Sequence, residues 1–284
     1  MRLMCAIALV LGCSAPALSA DWPASWHEPR EPFRVVGNIY YVGSKGLAAY
    51  LLVSRQGDIL LDGTEAENVP MIEQNIAKLG FSIRDVKLLL NTHAHFDHAA
   101  GIAQLKRDSG AKFLASPGDR PILESGHITV ENSNGLPDFP PVKVDRSIRD
   151  GEVVRVGPIA MTAVLTPGHT PGCTSWSTTV RDSGRTLRVL FPCSITVAGN
   201  RLVGNRTYPN IVADYRHSFD RLATMKPDVV LTAHPELSDV QGRARRRTDE
   251  KPDVFVDHAV LPKLVADARR DFEAELAKER AAAR

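Results

Sequence analysis

Four potential metal ligands lie within six residues, directly after a short apolar stretch. Residues 86–90 read Val-Lys-Leu-Leu-Leu, which is typical of a buried strand, and a turn-type Asn-Thr pair follows. The chain then continues as Thr92-His93-Ala94-His95-Phe96-Asp97-His98. Neutral imidazole and carboxylate are ligands that zinc prefers. The sequence therefore predicts a fold in which a buried strand ends at a metal site.

The spacing of the histidines predicts how they divide between metals. In an extended chain alternate side chains share one side, so His93 and His95 are expected to share one metal. Asp97 is expected to continue this alternation and His98 to point elsewhere, so that both could serve a second metal. Residues 99–107 are then predicted to be a helix. The alternative is a His-rich surface loop that binds metal adventitiously.

Two further histidines lie in settings that suit a ligand. His169 occurs in Thr-Pro-Gly-His-Thr-Pro-Gly after the apolar residues 160–165, and His234 ends the apolar run 229–233. Both are predicted to lie at carboxyl ends of strands, where loops often carry functional sites. Either histidine alone is more often structural, but the first run favours a ligand role for both.

The three motifs together resemble the metallo-β-lactamase superfamily, in order and from about Phe33 to His234. The resemblance implies an α/β fold, the four-layer αβ/βα sandwich, with metals at one edge of its two sheets. It also implies two zinc ions per chain. The implied ligands are His93, His95 and His169 for the first zinc, and Asp97, His98 and His234 for the second.

One departure from the broad superfamily pattern indicates a subclass. Many hydrolases of the superfamily carry an Asp that bridges both metals, but residues 187–213 contain no carboxylate. Ser194 stands in that segment while His98 is retained, which resembles subclass three of the class B β-lactamases. The resemblance implies hydrolysis of the β-lactam amide by a metal-bound hydroxide, with Asp97 orienting it. Ser194 and Thr196 match positions that contact the substrate.

Other interpretations remain open at this point. Ser194 and Thr196 could be ordinary hydroxyls at a strand end. The chain could hydrolyse a lactone or a glutathione thioester, or be a zinc-binding protein without activity. A net charge of +2 makes a nucleic-acid partner unexpected, and this weakens the case for an RNase Z-like nuclease. The expected partner is a small-molecule β-lactam, bound by a monomer.

Residues 1–20 are predicted to be an export signal. Arg2 is followed by an apolar run and then by small residues, with cleavage expected after Ala17 or Ala20. The apolar run is too short to span a membrane. The segment before Cys13 also resembles a lipobox, so lipidation of Cys13 is an alternative. Either route predicts a periplasmic protein.

After cleavage two cysteines remain, Cys173 and Cys193. A pair of cysteines in an oxidising compartment favours one disulfide bond. Both lie beside predicted site residues, so a bridge is geometrically plausible. Two free thiols, or Cys193 as a metal ligand, are the alternatives.

The rest of the sequence predicts one domain, residues 21–284. Alternation and turn signals over residues 33–62 predict a β-meander, and the spacing of apolar residues predicts a helix over 66–79. Strands are predicted over residues 142–156 and 159–165, around turns at 149–151 and 156–158. Residues 257–284 are predicted to form a C-terminal amphipathic helix whose apolar face packs on its own domain.

Overall fold

A computed structural model describes residues 22–284. The predicted export signal and the predicted lipidation of Cys13 lie outside these residues. The strands in the described part are β1 (Phe33–Val36), β2 (Ile39–Tyr41), β3 (Tyr50–Leu52), β4 (Asp58–Leu61), β5 (Val86–Leu90), β6 (Lys112–Ala115), β7 (Arg146–Ser147), β8 (Val153–Val156), β9 (Ile159–Leu165), β10 (Thr174–Asp182), β11 (Arg185–Phe191) and β12 (Val229–Val230). The α-helices there are α1 (Val69–Lys78), α2 (Phe96–Ala99), α3 (Ile102–Ser109), α4 (Arg120–Ser125), α5 (Ile211–Thr224), α6 (Val240–Arg246) and α7 (Val260–Ala282).

The strands form two sheets. The first has the order β1-β2-β3-β4-β5-β6-β7, with an antiparallel meander through β4 and parallel pairing from β4 to β7. The second has the order β12-β11-β10-β9-β8, antiparallel except for the β11–β12 pair. The predicted meander over residues 33–62 is therefore confirmed.

The two faces of each sheet contribute to different apolar clusters. Leu90 of β5 lies in a cluster with Met161 and Trp176 of the second sheet. Its neighbour Leu89 lies in another cluster, which also contains the apolar faces of α1 and α3. This alternation follows from the two-residue period of a strand. Leu190 of β11 lies in the same cluster as Leu89, together with apolar residues of α5 and α7. Helices cover both outer faces, so the predicted four-layer αβ/βα sandwich is confirmed.

The structure corrects one predicted helix near the site. Residues 99–107 were expected to be one helix, but α2 begins earlier, at Phe96, and α3 starts anew after Gly101. Gly101 N donates to Thr64 O at 3.0 Å, instead of to the preceding helical turn. A Cβ on Gly101 would lie 2.2 Å from Gly63 O, so only glycine fits this close approach.

Two other predicted elements differ in extent. The helix expected over residues 66–79 starts as a 3-10 turn at Ala66–Asn68 before α1. The turn predicted at 149–151 separates β7 from β8, but β7 covers only Arg146–Ser147 of the strand expected from residue 142.

The C-terminal helix α7 packs on α5. The ring of Phe272 lies 5.0 Å from that of Tyr215 and 5.5 Å from that of Phe219, so the apolar face of α7 is used within the domain, as predicted. In the described residues, no helix is both long enough and apolar enough to cross a bilayer.

Candidate metal centre

All six predicted ligands lie in the loops, or in the short helix α2, that follow the carboxyl ends of strands from the two sheets. His93 and His95 follow β5 of the first sheet. His169 follows β9 and His234 follows β12, both of the second sheet. Loops at one edge of the sandwich therefore bring together residues that are 141 positions apart, from 93 to 234.

His93, His95 and His169 form a group that we call the first triad. One ring nitrogen from each lies within 4.8 Å of the others. The three rings are almost completely buried, and their centroids are 4.6–4.9 Å apart. Burial lowers the pKa of His169 to about 4 and holds those of His93 and His95 well below the ordinary range. These imidazoles are therefore neutral at physiological pH, which is the form that binds a metal.

Hydrogen bonds orient two rings of the first triad. His169 Nδ1 lies 2.8 Å from the carbonyl oxygen of Thr196, which can only accept, so Nδ1 carries the proton. Thr92 Oγ1 donates to Asp62 at 3.0 Å and therefore accepts from His93 Nδ1, also at 3.0 Å. In both rings Nε2 is left with its lone pair free, and such partners typically fix the tautomer of a metal ligand.

Asp97, His98 and His234 form the second triad. Asp97 Oδ2 lies 3.1 Å from His98 Nε2 and 3.2 Å from His234 Nε2, and the two nitrogens are 3.2 Å apart. Bonds of about 2.0–2.1 Å to a tetrahedral metal place two ligand atoms about 3.3 Å apart. The three atoms therefore surround a point that suits one metal ion.

The helical turn of α2 creates this second triad. His95 is the N-cap of α2 and still has extended backbone, whereas Asp97 is in the first helical turn. The prediction that Asp97 continues the alternation of His93 and His95 is therefore wrong. A helical turn brings Asp97 beside His98, which an extended chain would have pointed to the opposite side.

The charges of the second triad differ from those of the first. Burial alone would raise the pKa of Asp97, but His98 and the hydrogen bonds from His234 and His98 outweigh it and hold that pKa well below its usual range. Burial likewise opposes a charge on His98, yet Asp97 raises its pKa. This triad therefore contains an ionised carboxylate, and the first triad contains only neutral rings.

The residues present fit a metal ion. His95 Nε2 is buried and has no hydrogen-bond partner among residues 22–284. A buried polar atom without a partner is costly, and a bound metal on this ring would offset that cost. Five imidazoles and one carboxylate are a donor set typical of zinc and similar cations.

Ser194 and Thr196 lie at the rim of the candidate site. Their side-chain oxygens are 3.1 Å apart, and both residues line a groove of about 500 Å³ together with His234 and Leu237. The groove widens the site toward α7, whose residue Leu264 also lines it.

A disulfide bond joins the two loops behind these residues. Cys173 and Cys193 are bonded, with their Cα atoms 5.8 Å apart, which confirms the predicted bridge. The alternatives of two free thiols and of Cys193 as a metal ligand are therefore excluded.

Sequence reasoning missed three residues that shape the site. Asp62 directly follows β4 and accepts from Thr92 N at 2.7 Å. The side chain of Asp119, before α4, accepts from Ala94 N at 2.9 Å. The ring of Trp26 lies 5.6 Å from that of His234. The Leu-Leu-Asp-Gly run after a strand could have pointed to Asp62, but the other two carry no such pattern.

Comparison with known proteins agrees with this geometry. Residues 48–234 match the family described as the Metallo-beta-lactamase superfamily. The chain belongs to this superfamily. Among solved structures it is similar to BJP-1, a subclass B3 metallo-beta-lactamase of Bradyrhizobium japonicum, at 45% identity and a TM-score of 0.88, covering 92% of this chain and 99% of that one.

Two other comparisons extend this metallo-β-lactamase likeness. The Rm3 metallo-beta-lactamase is 42% identical with a TM-score of 0.86, over 90% of this chain and 97% of that one. A hydroxyacylglutathione hydrolase of Methylobacterium nodulans is 31% identical over 94 residues, 33% of this chain and 29% of the relative. The chain spans half or less of the length of the first curated relatives that it matches. The resemblance to subclass three is confirmed by the B3 neighbour.

Proposed function

We propose that this metallo-β-lactamase-fold protein is a β-lactamase that uses two zinc ions to hydrolyse the lactam amide. The observation that carries this proposal is the pair of adjacent triads with hydroxyls, and no carboxylate, on the Cys193–Thr196 side. A carboxylate that bridges the metals is expected in the thioesterases and lactonases of the superfamily. The likeness to two metallo-beta-lactamases at 45% and 42% identity supports the same function.

The first triad would hold one zinc ion and the second triad the other. When bound, the ions would supply Lewis acidity, which lowers the pKa of water to about 7 and polarises a carbonyl group. Asp97 would orient the attacking water and hold its proton, since its carboxylate is ionised and lies close to His93 of the first triad. His169 and His93 would keep their Nε2 atoms directed at the metal through their fixed Nδ1 protons.

The substrate would lie across the rim formed by Ser194 and Thr196. Their hydroxyls would donate to the substrate carboxylate, as the resemblance to subclass three implies. The groove of about 500 Å³ beside His234 is within the usual range for a small-molecule site. Leu237, 43% exposed, offers an apolar surface for a substituent of the β-lactam.

A second candidate function is hydrolysis of a glutathione thioester. The likeness to hydroxyacylglutathione hydrolase over 94 residues favours it. The missing carboxylate in residues 187–213 counts against it. The same assay separates the two candidates.

The test uses the purified chain with a chromogenic cephalosporin, a carbapenem, a lactone and a glutathione thioester, each with and without a chelator. We expect lactam hydrolysis that the chelator abolishes and added zinc restores. Turnover of the thioester or lactone without hydrolysis of either lactam would overturn the proposal. Metal analysis of the active protein should give two zinc ions per chain.

We also propose that the chain acts in the periplasm as a monomer. The disulfide Cys173–Cys193 supports an oxidising compartment. Cell fractionation and size-exclusion chromatography with light scattering test the two parts separately. Recovery of the protein in the cytoplasm with reduced cysteines would contradict the first part.

A further inference from the structure

We infer that Asp119 is a positioning residue for the first metal site, because its buried carboxylate joins the two loops that carry His93, His95 and His169. The inference rests on the proposed binding of zinc at the first triad. It goes beyond that proposal by assigning the geometry of this site to a residue outside the six ligands.

Three hydrogen bonds carry the inference. Asp119 Oδ2 accepts from Ala94 N at 2.9 Å, and Ala94 is the residue between the ligands His93 and His95. The same oxygen accepts from Thr170 Oγ1 at 2.9 Å, and Thr170 is the neighbour of His169. The other oxygen, Oδ1, accepts from Gly172 N at 2.7 Å. One side chain therefore contacts both ligand loops at positions adjacent to the ligands.

The turn that carries Asp119 is closely packed against the His169 loop. A Cβ on Gly172 would lie 2.1 Å from Ser116 Oγ and 2.2 Å from Asp119 N, so the loops can approach only with glycine there. Ser116 Oγ also donates to Gly172 O at 2.6 Å. The position of Asp119 relative to the His169 loop is therefore set by the close approach of Gly172 to the Ser116 hydroxyl and to the Asp119 backbone.

The carboxylate of Asp119 accepts hydrogen bonds only from uncharged donors. Its residue is 1% exposed, and no cationic side chain of residues 22–284 forms an ion pair with it. Burial raises the pKa of Asp119 to about 6. A carboxylate that is unfavourable to bury, yet accepts three hydrogen bonds at ligand loops, suits a role in placing those loops.

Asp119→Asn is the direct test because no orientation of the amide satisfies all three donors. If Nδ2 takes the place of Oδ1, the amide NH2 group faces the N–H of Gly172. If Nδ2 takes the place of Oδ2, it faces the donors of Ala94 and Thr170. Zinc affinity is measured by competition with a chromogenic chelator. We expect zinc binding at the first triad to weaken about 10–100-fold, a typical effect of losing a partner behind the ligands. The absorption spectrum of the cobalt-substituted protein should change for this site.

Asp58→Asn is the matched control. Asp58 is also buried, at 2% exposure, and accepts a backbone hydrogen bond from Ser54 N at 3.0 Å, but it lies at the end of β4 away from the site. This variant should keep wild-type zinc affinity. Equal weakening in Asp58→Asn and Asp119→Asn would overturn the inference, as would unchanged zinc affinity in Asp119→Asn.

Thr170→Val tests the same contact if Asp119→Asn does not fold. It removes one donor with little change in volume, and Thr170→Ser restores the hydroxyl. Weaker zinc binding in Thr170→Val with recovery in Thr170→Ser supports the inference, and no weakening overturns it. These titrations use zinc alone. A wild-type chain that binds zinc but hydrolyses no lactam would therefore defeat the proposed function and leave this inference standing.

Discussion

The two triads are built from different chemistry although they lie side by side. The first triad consists of three neutral, buried imidazoles, two of which are held by a carbonyl oxygen and by a hydroxyl. The second contains an ionised carboxylate, and the His234 side chain is 22% exposed. Hydrogen bonds to neighbouring residues thus orient the first triad, whereas charge attraction between its own members holds the second together.

This difference assigns different tasks to the two groups. The first triad supplies only neutral donors, two of them fixed by hydrogen bonds, which favours a fixed Lewis acid. The second triad adds the negative charge and the partial exposure that a proton acceptor beside the substrate groove needs. The following changes test how far one triad can be altered without affecting the other.

Asp97→Asn should have the largest effect. It removes the only carboxylate of the two triads, so we expect kcat for a chromogenic cephalosporin to fall about 10²–10⁴-fold, the usual contribution of general acid–base catalysis. The zinc ion of the first triad should remain bound, as measured by metal analysis after dialysis. Asp138→Asn, on an exposed residue paired with His127, is the control and should keep full activity. Loss of both zinc ions in Asp97→Asn would show that the triads are not independent.

Removing the disulfide should affect mainly the first triad. The double variant Cys173→Ser with Cys193→Ser opens a loop of 20 residues beside His169, and we expect a loss of about 3 kcal/mol in the free energy of unfolding. Urea denaturation measures this loss, and wild-type protein in reductant is the control. Zinc binding at the first triad should weaken, while zinc binding at the second triad stays unchanged. If zinc binding at both triads weakened equally, the disulfide would act on the whole site.

The pH dependence of the free energy of unfolding should reveal the buried charge of Asp119. Burial raises the pKa of Asp119 from 3.8 to about 6, so the folded state binds this proton more tightly than the unfolded state. The stabilisation that the bound proton gives to the folded state is therefore complete below pH 3.8 and is lost as the pH rises through about 6. The free energy of unfolding falls by at most about 3 kcal/mol. The stability difference between the metal-free wild type and Asp119→Asn should fall over this range in urea titrations. A difference that is constant with pH would contradict the buried charge.

Tyr215→Phe should have the smallest effect. Tyr215 Oη donates to Thr196 O at 2.8 Å, the same oxygen that accepts from His169 Nδ1. Loss of this hydroxyl should lower the free energy of unfolding by about 1 kcal/mol and weaken first-triad zinc slightly. Tyr208→Phe removes a hydroxyl that donates to Asp214 and not to a ligand loop, and should change stability but not zinc affinity. If both variants kept the zinc affinity of the wild type, the Tyr215 hydroxyl would not be needed to place the Thr196 carbonyl that orients His169.

Sequence patterns predicted the local elements better than their junctions. The β-meander and the strand before His93 follow from apolar alternation and turn residues, which are local properties. The break between α2 and α3 depends on Gly101 approaching Gly63 and Thr64, a contact between distant segments. The early start of α2, at Phe96, decides where Asp97 points. Asp119 escaped notice because its donors, Ala94 and Gly172, lie 25 and 53 residues away.

The sequence by itself determined the family and the six candidate ligands, because ligand type and spacing along the chain are visible without a fold. Only the tertiary structure decided which atoms meet and how the triads differ in charge. The burial that lowers the pKa of His169 arises from packing between segments that are distant in sequence. The approach of His98 to Asp97 arises from a helical turn. These are properties of the environment of a side chain, and no spacing of residues encodes them directly.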